Sequence, residues 1–175
     1  RGKVLQDSSF IFAGSNQSSS IDFDIYLQKI SANGQKLWSK GHNTQNYGNA
    51  EGLEVAEDGG FLTVGYSQWQ IPSGDYALTP VFVKFDENGN YQWEKYPLIG
   101  PFNFAWPYNM TKDSSGGLYV TGELFADTTD HFSDIMLLKI SEDAEVEWYK
   151  NYGSKNTEWG EDIIVPNDSQ IVMWG

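Results

Sequence analysis

Cysteine is absent from the 175 residues, which removes disulfides, thiol nucleophiles and Cys-ligated zinc or iron-sulfur sites together. Histidine is nearly absent. His42 and His131 lie far apart in the chain, so a histidine metal site would need carboxylates to complete it, and each reads as a lone surface side chain. Basic residues are scarce: 11 Lys plus Arg stand against 24 Asp plus Glu, a net charge of -13. That charge repels phosphate backbones and anionic lipid and excludes nucleic acid as an expected partner. No apolar run approaches the roughly 20 residues of a helical membrane span, and no basic, apolar leader opens the chain. Membrane insertion is therefore not expected, and the chain reads as mature or excised material. No P-loop, nucleophile elbow, HExxH or dinucleotide fingerprint occurs, so no cofactor, metal or catalytic residue is assigned. What is abundant is aromatic residues at 15%, with 18 Gly, a mixture that favours short strands and tight turns over helices.

An internal repeat organises this material. Lys29, Lys84 and Lys139 recur at about 55 residues, as do Trp38, Trp93 and Trp148. Around them the sequence reads IYLQKISANGQKLWSK (25–40), VFVKFDENGNYQWEK (81–95) and IMLLKISEDAEVEWYK (135–150). Each is two alternating apolar runs about a turn, hence a hairpin. Asn33-Gly34 and Asn88-Gly89 supply positive-φ residues for the reversal, and Glu142-Asp143-Ala144 is a weaker third version. A second hairpin is expected around Asp58, Asp113 and Asp168, with FLTVG (61–65), LYVTG (118–122) and IVMWG (171–175) as its second strand. The same unit begins at VLQDSSFIFAG (4–14), with Asp7 in the turn.

Four-stranded antiparallel units at this period cannot bury both faces alone, and stacking them radially solves the problem. The expected fold class is all-β: a partial β-propeller of about three four-stranded antiparallel blades plus half of a fourth. Blade one spans 4–40, blade two 52–95, blade three 107–150 and the half blade 163–175. Three and a half blades do not close a ring of four to eight, so the expectation is one incomplete propeller domain within a longer protein.

The stretches DGGFLTVG (58–65) and FVKFDENGNYQWEK (82–95) resemble the repeats of secreted bacterial propeller proteins, abundant in Bacteroidota, whose blades read roughly DGGYIVAG and then VKLDxNGNxxWxK. The resemblance covers essentially the whole chain. It implies an exported, extracellular or cell-surface protein with structural repeat residues and no defined activity. This chain departs from the pattern at Asp113-Ser-Ser-Gly-Gly, which carries two extra residues, and at Glu142-Asp-Ala-Glu, which lacks the turn glycine.

The regularity of one Trp per unit fits packing between blades better than a row of ligand platforms. The three lysines, alternating with apolar residues, are expected along the blade surface with solvated or paired ammonium groups. Asp86 to Asn90 places oxygens like a calcium loop, but a strand resumes at Tyr91, and turn chemistry is the reading. The sequons at Asn16, Asn109 and Asn167 carry little weight in a bacterial protein.

Loop lengths point to one end of the units. The connections 15–23, 41–51, 66–79, 96–106, 123–133 and 151–161 are read as long and the opposite turns as tight, and long loops on a rigid scaffold are where binding residues concentrate. Trp69, Tyr76, Phe102, Phe104, Trp106 and Trp159 are the ligand- or partner-binding candidates there, interleaved with acids in a manner suited to sugar rings. The expected function is a non-enzymatic scaffold or a protein- or glycan-binding propeller segment, its other partner being the remainder of its own propeller. The alternative is a glycan-active hydrolase using carboxylates of the long-loop face, and a quinone-dependent dehydrogenase fragment is a third reading.

Overall fold

The computed structural model describes residues 1–17, 23–44, 48–70, 76–100, 104–125, 132–167 and 170–175. Among them every regular element is a strand. β1 (Gly2–Val4), β2 (Phe10–Gln17), β3 (Phe23–Ile30) and β4 (Lys36–Asn43) form one antiparallel sheet in chain order. β5 (Gly48–Val55), β6 (Phe61–Gln70), β7 (Tyr76–Phe85) and β8 (Tyr91–Lys95) repeat that order, as do β9 (Phe104–Lys112), β10 (Leu118–Phe125), β11 (Asp134–Ile140) and β12 (Val146–Tyr152). β13 (Asp162–Asn167) and β14 (Gln170–Trp174) form a two-stranded fourth unit. A single parallel bridge, Leu78 to Phe104, ties the second unit to the third.

The same turn closes six tight reversals among the described residues. In Leu5–Ser9, Ser31–Gln35, Ala56–Gly60, Asp86–Asn90, Asp113–Gly117 and Ser141–Glu145, the fourth N–H donates to the first carbonyl and the first N–H to the fifth carbonyl. This is a type I turn with a following bulge, whose fourth residue must be left-handed. Gly34, Gly59, Gly89 and Gly116 supply that conformation; Ser8 (φ 62) and Ala144 (φ 57) adopt it with a side chain, at about 1–2 kcal/mol each. Asn33 and Asn88 do not share the positive φ, which corrects the sequence reading of both Asn-Gly pairs. Asp86 instead caps its turn, accepting the N–H groups of Asn88 (2.9 Å) and Asn90 (2.8 Å).

The frame also corrects one alignment. Asp58 and Asp7 are third in their turns, whereas Asp113 is first in a turn of the same length. The two extra residues therefore lie upstream, between Trp93 and the bulge of β9, and not in the Asp113 turn. With Asp113 displaced, Tyr119 donates its hydroxyl to it, and Lys139 pairs with Glu147 at 2.9 Å. In the first two units the repeat lysine reaches the turn aspartate: Lys29 to Asp7 at 3.0 Å and Lys84 to Asp58 at 2.7 Å. Lys84 is only 5% exposed.

Two apolar clusters lie between consecutive sheets. Ile11, Ile25 and Leu27 of the first unit meet Leu53, Phe61, Val83 and Phe85 of the second. Leu62, Val64 and Phe82 meet Met110, Leu118, Val120 and Leu138 of the third. Alternate residues of β6 thus serve different clusters, which is what a strand buried on both faces requires. Each buried large side chain contributes roughly 1.5–3 kcal/mol. Trp38 lies 6.1 Å from Phe61 of the next unit and over Gly89, where an added Cβ would meet ring atoms at 2.7 Å. Trp93 packs on the second cluster, but Trp148 contacts its own sheet, 6.1 Å from Tyr119 and beneath Lys150. His42 is no lone surface residue: Nε2 lies 2.9 Å from Glu94 of the second unit, and the ring stacks on Tyr91 at 3.8 Å. His131 lies outside the described residues.

Candidate functional site at the inner strand ends

The first strand of each unit packs against its counterparts, β5 against β1 and β9, and β9 against β13. In β5 the ladder slips between Ala50 and Gly52, leaving Glu51 unpaired; in β9 it slips between Pro107 and Asn109, leaving Tyr108 unpaired. A bulge bends the strand and re-aims the extra residue. Glycine is required opposite. An added Cβ at Gly65 would fall 1.4 Å from the Asn49 carbonyl oxygen, at Gly122 2.0 Å from that of Trp106, and at Gly175 1.8 Å from that of Trp159. Asn49, Trp106 and Trp159 are therefore equivalent positions, and Glu51, Tyr108 and Glu161 follow them.

Those three following residues converge on one cation. The Arg1 guanidinium donates to the carbonyls of Glu51 (2.9 Å), Tyr108 (3.2 Å) and Glu161 (3.4 Å). Arg1 itself exchanges both backbone hydrogen bonds with Ala13, so all four units contribute to this point. Tyr108 donates its hydroxyl to Glu123, and the nearby Ser133 hydroxyl donates to the Glu158 carbonyl at 3.2 Å. Asn109 bonds Asp162 across the third and fourth units. Trp106 lies 4.7 Å from Tyr66 and 5.9 Å from Tyr108. Its indole Nε1 is buried and finds no acceptor among the described residues.

The electrostatics follow from half-burial of several acids in one place. Burial pushes Glu51 above its ordinary range, with Glu161 adding repulsion and Arg1 opposing both. Burial also raises Glu123, against the opposing influence of the Tyr108 and Ser133 hydroxyls. Tyr108 is raised far, by burial first and then by the charges of Glu123, Glu161 and Glu51. The arrangement offers stacking surface, a fixed cation, and carboxylates that take up protons more readily than exposed ones.

Of the sequence candidates, Trp106 lies in β9 beside this cluster and Phe104 begins the same strand, its ring 6.2 Å from Phe125. Trp159 is 45% exposed and occupies the equivalent position in the fourth unit. Trp69 and Tyr76 lie in strands, opposite Ala77 and Gln70. Their side chains, and the whole of Phe102, lie outside the described residues. The supposed long loop 66–79 is thus mostly hairpin, and 15–23, 41–51, 96–106 and 123–133 are likewise shortened by the ends of β2 to β5, β9 and β10. The alternation was obscured there by polar and bulged positions. Arg1 and Tyr108 were missed, whereas Glu51, Glu123 and Glu161 stood among the long-loop acids available to the hydrolase alternative without being singled out; the usable signal was the glycine ending FLTVG, LYVTG and IVMWG, which marks the opposing inner strand.

No protein-family model and no curated protein matches the chain. Among solved structures it is similar to a mutant apocarotenoid oxygenase from Synechocystis, at 11% identity and a TM-score of 0.48, covering 82% of this chain and 35% of that one. The chain therefore spans about a third of the length of that protein, and the likeness carries no argument about function.

Proposed function

We propose that the units are blades of a β-propeller and that the chain is a non-enzymatic binding segment of an exported or cell-surface bacterial protein, engaging a glycan or protein at its inner strand ends. Three and a half meanders in one order, apolar clusters between successive sheets and inner strands meeting at Arg1 support the propeller. The exported setting rests on the repeat resemblance. Outward apolar side chains, Phe12 and Leu37 on the first unit and Ile164, Val172 and Trp174 on the fourth, suit coverage by further blades.

The observation that carries the binding reading is the meeting of Trp106, Tyr108, Glu51, Glu123 and Glu161 at one end. Sugars match it because their apolar faces stack on rings while hydroxyls bond carboxylates. Glycan is thus the favoured partner class. Tryptophan fluorescence titration with neutral hexasaccharides tests this: Trp106→Ala should weaken binding about tenfold or more, and Asn33→Ala in an opposite turn should leave it unchanged. Absence of saccharide binding, or saccharide binding that Trp106→Ala leaves unchanged, would overturn it. The raised Glu51 and Glu123 favour hydrolysis as the second reading, since a proton held on a carboxyl is what a general acid supplies; polysaccharide cleavage lost in Glu123→Gln would establish it.

A further inference from the structure

A cleft lies at the other end of the sheets. It encloses about 780 Å³ between the first and second units, walled by Val4, Leu5, Val55 and Phe61 and rimmed by Asp7 and Glu87. The corresponding gap between the second and third units is filled by the protein itself. There Lys112 Nζ donates to the Val55 carbonyl at 3.1 Å and to Glu142 Oε1 at 3.0 Å, and the same oxygen accepts the Glu57 N–H at 2.9 Å. An ammonium thus joins the inner strand of one unit to the turn of the next.

Register identifies the matching positions. Lys112 is opposite Leu118, Val55 opposite Phe61 and Val4 opposite Phe10, each at the same step before its turn. Glu142 and Glu87 are each second in their turns. The first gap therefore repeats the carbonyl at Val4, the N–H at Gln6 and the carboxylate at Glu87, but Val55 stands where the lysine would be. Glu87 is exposed and makes no ion pair among the described residues. Asp7 and Asp58 are already matched by Lys29 and Lys84, which leaves Glu57 and Glu87 as the uncompensated acids of the rim. The walls are apolar where a methylene stem would lie, and Val4 is 68% exposed.

We propose that this cleft binds a primary alkylammonium, a lysine side chain of a partner peptide being the form it fits, with the ammonium between the Val4 carbonyl and Glu87 as Lys112 sits between Val55 and Glu142. The site is independent of the glycan reading and lies at the opposite end of the sheets. Its class is set by the chain's own occupied copy: a point charge on an aliphatic stem, not a planar fork.

The test is an amide-shift titration of the isotope-labelled 175-residue protein with Nα-acetyl-lysine methylamide, with cadaverine as the free-diamine arm. Saturable shifts should centre on residues 4–7, 55–59 and 87. Glu87→Gln should weaken them about tenfold, the worth of one charge-assisted hydrogen bond. Val55→Lys should abolish them by supplying the ammonium in cis, and the probe acetylated on Nε should not bind. Binding by cadaverine alone keeps the site and identifies a diamine as its source. Shifts scattered over the acidic surface and indifferent to Glu87→Gln, or equal binding of the Nε-acetylated probe, would overturn the proposal. Should Val55→Lys fail to fold, the exposed Glu87→Gln decides.

Discussion

Replacing Gly89 by alanine isolates the contact through which the first unit grips the second, because Gly34 provides a matched control. Both glycines are fourth in the same kind of turn, at φ +76 and +85, and both would carry the left-handed strain of an added Cβ, about 1–2 kcal/mol. They differ in surroundings. A Cβ at Gly34 meets nothing within 4 Å, whereas at Gly89 it meets Cη2 and Cζ3 of Trp38 at 2.7 Å and Lys40 Cγ at 3.0 Å. The lysine stem can swing aside, but the indole is pinned against Phe61. Overpacking of this kind costs roughly 1–3 kcal/mol beyond the strain, so Gly34→Ala should destabilise by about 1–2 kcal/mol and Gly89→Ala by about 2–5. Trp38→Ala, a half-buried truncation, should cost about 2–3 kcal/mol alone. Combined with Gly89→Ala it should remove the excess and leave a coupling of about 1–3 kcal/mol. Urea unfolding of the four variants and the parent measures every term. Equal losses at Gly34 and Gly89, or a coupling near zero, would refute the docking of Trp38 on the second unit.

The pair Lys84 and Asp58 should respond asymmetrically: Asp58→Ala strands a buried ammonium and should cost about 3 kcal/mol, while Lys84→Met leaves an exposed carboxylate and should cost about 1 kcal/mol, both by urea titration. Glu123 is raised in the folded protein, so the fold binds its proton more tightly than the unfolded chain and loses stability as pH climbs from the ordinary carboxylate value through the folded one; Glu123→Gln should melt higher than the parent at pH 7 and lose that advantage near pH 4, as calorimetry would report. Asp7 runs the other way. It is held down to about 2, by the Ser9 hydroxyl first, then the Ser9 N–H and Lys29, so its contribution is present above 3.8 and lost as pH falls toward 2; Asp7→Asn should flatten that part of the acid limb. Sedimentation of the 175-residue chain should show association through the outward faces of the first and fourth units, and a compact monomer with a single melting transition would remove the argument for further blades.

The interval between the two gaps shows how a near-repeat creates difference. Units two and three share a turn, a carboxylate and a carbonyl with units one and two, and a single residue, Lys112 against Val55, decides whether the space is bridged or open. A salt-bridged seal of this exposure contributes on the order of 1 kcal/mol, small beside the apolar clusters.

Local chemistry settled much before any coordinates. The glycines of the tight turns, the alternating runs and the recurring Lys and Trp placed the strands and the four-stranded unit, because a period-two pattern and a left-handed turn residue act within a few positions of themselves. The pairing of Lys84 with Asp58 was within reach for the same reason, since both lie on one hairpin ladder. Register and reach were not. The bulges at Glu51 and Tyr108, the shift of Asp113 from third to first in its turn, the bridge from His42 to Glu94 and the meeting of three carbonyls at Arg1 depend on how separate sheets stack. A strand's sequence records which residues face inward, but not which residue of another sheet they will face; only close packing of the assembled units fixes that.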